Sequence, residues 1–186
     1  IKDHYLPTSI SSPVSKKPIG YALSIIDKLD TLVGFYLINQ KPTSSKDPFA
    51  LRRAAIGLLR TVIENNLSIN ISDLIEYSLK IYSNQGVKEL NKNTLKDLIA
   101  FFRDRMRNIL KEKKIRTDII EASVSSHQND NFLELYKKTL IMKKFISRDL
   151  GKNAVSTYKR ASNILDQEKL QTKNGPDAVL FQYEEE

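Results

Sequence analysis

The sequence contains no cysteine, so disulfides and thiolate metal sites are excluded. Histidine is almost as scarce: His4 and His127 are the only two, too far apart in sequence to argue a metal site. No apolar run reaches the ~18 residues that a membrane-spanning helix needs, and no secretory leader pattern is present. There is no phosphate-binding glycine loop, no nucleophile elbow and no HExxH pair. The first residue is Ile1 rather than methionine, and the last three are glutamates. A soluble, cytoplasmic, non-catalytic piece of a longer protein is the expectation.

What the chain does have is helical periodicity and positive charge. Its 186 residues suffice for one sizeable helical domain, and its formal net charge of +8 suits a polyanionic partner. From Ile19 to Ile38, Leu23, Ile26, Leu29, Leu32 and Val33 recur at helical spacing. A polar loop follows to Pro48. Asp47-Pro48 reads as a helix start, with Asp47 capping and Pro48 at the first helical position. Leu51, Ala55, Leu58, Leu59 and Val62 then form one apolar face, and Asn65-Asn66 ends the run. Ser72 or Asp73 caps the next helix. "NTLKDLIAFFRDRMRNILKEKK" is the clearest helix, with Leu95, Leu98, Ile99, Phe102, Met106, Ile109 and Leu110 on one side. Shorter helices are predicted over "RTDIIEASVSS", "NFLELYKKTLIMKKFI" and "NAVSTYKRASNILD", and "PDAVLFQYEEE" begins a further one. No segment sustains two-residue alternation, so the predicted class is all-α.

Charge is unevenly distributed. Between Lys137 and Arg160 stand eight Lys/Arg residues against one acid, Asp149. On the clearest helix Arg103, Arg107, Lys111 and Lys114 lie opposite the apolar stripe, and Arg52, Arg53 and Arg60 stand on the helix after Asp47. Each run has two readings: a solvated helix face, or a set of phosphate contacts. Tyr136, Phe145 and Tyr158 are interleaved with the cations; they either pack in the core or stack on unpaired bases. Asp27 and Asp30, three residues apart, share a helix face; they either hold a cation or, as the reading preferred here, form a solvated pair flanking Lys28.

Longer motifs then carry a family. "IDKLDTLVGFYLINQKPTSSKDPFALRRAAIGLLRTVIENNL" resembles the C-terminal region of the bacterial glycyl-tRNA synthetase beta subunit, with its D-K-L-D-T-L-x-G run, K-P-T-x-S-K-D-P loop and F-A-L-R-R-A-A helix opening. "HYLP", "FFRDRMRNILKEKKIRTDIIEASVSS" and "KRASNIL" extend the resemblance over essentially the whole chain. It implies an all-α helical bundle: residues 1–46 as the C-terminal part of an HD-type helical domain and linker, 47–172 as an anticodon-binding, arginyl-tRNA-synthetase-like helical domain, and 173–186 as the start of a truncated helix. It implies tRNA(Gly) and an alpha subunit as partners, in an alpha2beta2 assembly whose alpha subunit binds ATP with Mg and performs the chemistry. No cofactor or metal is expected in this chain. Asp27 falls where HD phosphohydrolases place their final aspartate ligand, but the His-Asp doublet of such a site is missing. Candidate tRNA contacts are Arg52, Arg53, Arg60, Arg103, Arg107, Lys111, Lys143, Lys144, Arg148, Lys159, Arg160 and Asn163. The alternative is a helical interaction module whose basic faces meet acidic protein.

Overall fold

The computed structural model describes residues 2–9, 11–43, 45–87 and 91–168. Among them are a 3-10 turn, Lys2–Tyr5, and seven α-helices with no strand: α1 Pro18–Leu37, α2 Leu51–Glu64, α3 Ile71–Asn84, α4 Thr94–Glu112, α5 Thr117–Ser125, α6 Phe132–Ile146 and α7 Asp149–Glu168. The expected further helix at 173–186 lies outside the described residues. The chain divides into two compact units, the first ending at Lys143 and the second beginning at Lys144.

In the first unit α4 is the central element, packed against α1, α2, α3 and α5. The stripe read from its sequence explains why. Leu98, Phe102, Met106 and Leu110 recur every fourth residue and are fully buried. The Phe102 ring meets that of Phe132 at 5.9 Å between centroids. On α2, Leu51, Ala55, Leu58, Leu59 and Val62 are all buried, as the spacing predicts.

On α1 the buried side is shifted from the predicted one. Ile25, Leu29, Leu32, Val33, Tyr36 and Leu37 are buried, whereas Leu23 and Ile26 are exposed. Two polar residues, Ser24 and Lys28, occupy the buried face instead. The Ser24 hydroxyl donates to the Leu6 carbonyl, and the Lys28 ammonium donates to the His4 and Leu6 carbonyls and to Ser24 Oγ. Those bonds tie the N-terminal segment to α1. The Lys28 stem also lies on Gly57 of α2, where an added Cβ would come within 3.0 Å of Lys28 Cε. Glycine lets the two helices close over a buried lysine, and burial lowers the pKa of that lysine.

Two helix starts differ from expectation. Helix α2 begins at Leu51, not Pro48, because residues 47–50 make a turn that brings Ala50 into left-handed backbone, φ 54°. Asp47 still caps from outside the helix: its Oδ1 accepts from Leu51 N–H at 2.8 Å and its Oδ2 from Arg52 N–H at 3.0 Å. Helix α3 begins at Ile71 with Asn70 at its cap position, two or three residues ahead of the predicted cap, Ser72 or Asp73. The Ile71 N–H donates to the Asp130 carbonyl, so a tertiary bond satisfies a group that a local cap would otherwise serve.

In the second unit α7 opens directly after a tight turn closed by Arg148 N–H on the Phe145 carbonyl. Gly151 passes so close to that carbonyl that an added Cβ would sit 2.2 Å from its oxygen. The turn thus advances the helix start to Asp149, ahead of the predicted Asn153.

Candidate nucleic-acid interface

The structure sorts the twelve candidate residues by what already occupies them. Arg103 pairs with Asp130 at 3.1 Å. Arg107 reaches Asp104 at 2.8 Å and Glu121 at 3.0 Å, joining α4 to α5. Arg60 pairs with Glu64 one helical turn on and donates to the Ser9 carbonyl. Arg52 donates to the Thr43 carbonyl, holding the 41–47 segment to the start of α2. These four are engaged within the protein.

The others are not. Arg53 is exposed and opens onto a cleft of about 850 Å³, lined also by Thr8, Ser9, Ser11, Asp47 and Arg52. It also borders a second cleft, of about 400 Å³, with Asp27 and Lys28. Lys111, Lys143, Lys144, Arg148, Lys159, Arg160 and Asn163 are exposed. None of the cations among them has a carboxylate partner among the described residues. Lys152 on α7 pairs with Asp149 at 3.0 Å, one helical turn away. Tyr158 is 73% exposed on the same helix. So are Leu150, Val155, Ile164 and Leu165, to lesser or equal degrees.

Arg105 was missed by the sequence reading, which took the alternate arginines of the solvent side. It is half-buried on α4, its guanidinium 5.2 Å from the Phe101 ring centroid. The available signal was its place beside Phe101 and Phe102 at the edge of the apolar stripe.

Two electrostatic perturbations lie beside the α1–α2 connection, at Asp97 and Tyr36. The Lys41 ammonium, bound to Asp97 at 2.5 Å, holds that carboxyl below its usual range, assisted by Asn91. Burial raises the pKa of the Tyr36 hydroxyl well above its ordinary value. On α3, burial and a hydrogen bond to Asp30 push the Tyr82 hydroxyl up to about 12. Asp30 is thus a partner of Tyr82 and not simply a solvated neighbour of Asp27. Among the described residues no three His, Cys, Asp or Glu side chains stand close enough to hold a metal ion. No helix among them is long and apolar enough to cross a membrane.

Residues 1–125 match the family profile described as glycyl-tRNA synthetase beta subunit. Among curated proteins the chain is 38% identical to the glycine–tRNA ligase beta subunit of Rickettsia felis, over 97% of its own length and 25% of that protein. It is 37% identical to that of Rickettsia bellii over 100% and 26%, and 36% identical to that of a Ruegeria species over 88% and 22%. The chain spans about a quarter of the length of the curated relatives it matches. With the profile covering well over half of the sequence and relatives agreeing along nearly all of it, the chain belongs to the glycyl-tRNA synthetase beta subunit family.

Proposed function

We propose that this chain is a tRNA-binding part of the beta subunit of a glycine–tRNA ligase, contributing recognition of tRNA(Gly) to the ATP-dependent glycylation of tRNA in the cytoplasm. In this reading residues 47–172 belong to an anticodon-binding helical domain. ATP with Mg is held by the alpha subunit of an alpha2beta2 enzyme, and this chain supplies positioning and no catalytic group. The observation that carries the reading, beyond family membership, is that exposed cations along α6, α7 and the turn between them, Lys143, Lys144, Arg148, Lys159 and Arg160, have no carboxylate partner among the described residues. A ribose–phosphate backbone would supply the counter-charge that the described residues do not.

One observation favours a second reading, a module that binds acidic protein. Leu150, Val155, Ile164 and Leu165 are exposed on the same helix as Lys159 and Arg160, a combination that a protein surface would also satisfy. A salt titration of tRNA(Gly) binding to the full-length subunit separates the two. Replacing Lys143, Lys144 and Arg148 with alanine is expected to weaken binding and to make the salt slope shallower by about one unit per lost phosphate contact. Unaltered affinity and slope in a folded triple variant would move the tRNA to another face. Capture of an acidic protein in preference to tRNA would favour the second reading.

A further inference from the structure

Two clefts meet at the start of α2, and the same three residues, Thr8, Ala50 and Arg53, line both. The smaller, about 400 Å³, is walled by the N-terminal segment, α1 and α2. The larger, about 850 Å³, adds Ser9, Ser11 and Arg52. Of the ionic groups that line them, three are engaged within the protein. Lys28 donates to the His4 and Leu6 carbonyls, Asp47 accepts from the Leu51 and Arg52 N–H groups, and Arg52 donates to the Thr43 carbonyl. Asp27 and Arg53 are different. Both are exposed, and neither side chain has a hydrogen bond or ion pair among the described residues.

Two opposite charges therefore face one cleft without closing on each other. A simple anion is repelled by Asp27, and a simple cation by Arg53. The complementary ligand carries a hydrogen-bond donor at one end and an anionic group at the other. The rings in the same lining select a flat one. Phe49 stacks on Phe35 with centroids 4.0 Å apart and planes 21° from parallel, yet stays 43% exposed. It is braced on one side and accessible on another, so a base stacked there orders little that is not already fixed. Tyr5, 64% exposed, lines the cleft as well. In the larger cleft the hydroxyls of Thr8, Ser9 and Ser11 suit sugar and phosphate oxygens.

We propose that these joined clefts bind an unpaired stretch of RNA. One base lies against Phe49, its exocyclic amine donates to Asp27, its phosphate meets Arg53, and the strand runs on into the larger cleft. A carboxylate accepts from an amino group and has nothing to give a carbonyl, so cytosine is favoured over uracil. The proposal deepens the RNA-binding reading above and rests on it, with residues other than the α6 and α7 cations.

The test measures binding of a cytidine tetranucleotide, a uridine tetranucleotide and cytidine monophosphate to the full-length subunit. The cytidine tetranucleotide is expected to bind about tenfold more tightly than the uridine one, and also than the monophosphate. Asp27→Asn, whose amide both donates and accepts, should abolish the preference for cytidine. Phe49→Ala should weaken either strand about tenfold. Arg53→Gln should make the salt slope shallower by about 0.7 of a unit. Equal affinity for the two tetranucleotides, or a preference that survives Asp27→Asn, would overturn the site. Monophosphate binding as tight as the tetranucleotide would make it a free-nucleotide site and overturn the strand. Glycine binding that Arg53→Gln abolishes, with no tetranucleotide bound, would assign the cleft to a small zwitterion and also overturn the proposal. If the subunit binds tRNA(Gly) and neither tetranucleotide, this site fails and the RNA-binding reading stands. If it binds no RNA at all, both fail.

Discussion

On α4 the arginines at 103 and 107 end on carboxylates contributed by other parts of the chain, while on α7 the cations at 159 and 160 end in solvent. Within α4 Asp104 serves Arg107, but the rest of the difference does not arise inside either helix. It arises from the acids that tertiary packing brings up. Asp130 and Glu121 lie 27 and 14 residues from their arginines. Neither is a helical neighbour, and neither could be assigned from spacing. A basic helix face therefore says little about binding until the partners supplied by the rest of the fold are known.

Packing gives the sharpest way to break this comparison. Phe102→Ala on α4 should cost about 3–5 kcal/mol in denaturant unfolding, since it empties a fully buried position. Leu165→Ala on α7, at a site 47% exposed, should cost less than about 0.5 kcal/mol. Equal costs would mean that the apolar side of α7 is as well packed as the core of the first unit.

A smaller effect sharpens it. Arg107→Gln removes two ion pairs whose partners are partly exposed, and should destabilise by about 0.5–1 kcal/mol, less at high salt. Arg160→Gln should leave stability unchanged within error and act only on ligand binding. Reversal of that order would show that α7 carries the structural cations.

A third effect is absent at neutral pH and is seen only in alkali. Tyr82 titrates at about 12 in the fold against about 10 in the unfolded chain. Its contribution to stability is therefore fully present below pH 10 and is lost as pH rises from about 10 to about 12. Tyr82→Phe should flatten that part of the stability profile and remove the corresponding late step from the tyrosinate absorbance titration. An unchanged profile would show that the bond to Asp30 does not couple to folding.

Much of the fold was legible because the signals are local and strong. The α4 stripe and the α2 face both lie where a 3.6-residue period puts them. Local signals failed where distant groups intervened. Leu23 and Ile26 fit the α1 pattern but lost the buried face to Ser24 and Lys28, which find acceptors on a segment some twenty residues earlier. Asp47-Pro48 had the chemistry of a helix start, yet left-handed backbone at Ala50 delays the helix to Leu51. The candidate contacts were legible as residue types and not as roles. Only tertiary ion pairs separate Arg103 and Arg107 from Arg105, and all three look alike in the sequence.

The α1–α2 connection has a further consequence, for how this molecule would be damaged. Lys41 is clasped to Asp97, and Arg52 holds the Thr43 carbonyl, so an outwardly exposed segment is fastened to α4 and to α2. A protease has to straighten several residues around the bond that it cuts. Lys46, whose ammonium is exposed and has no partner among the described residues, is the natural point of entry, while Lys41 is withheld until its clasp to Asp97 opens. A chain nicked there would still be joined through the buried contact of α1 with α2 around Lys28 and Gly57. It would migrate as an intact particle under native conditions and separate into two pieces only on denaturation.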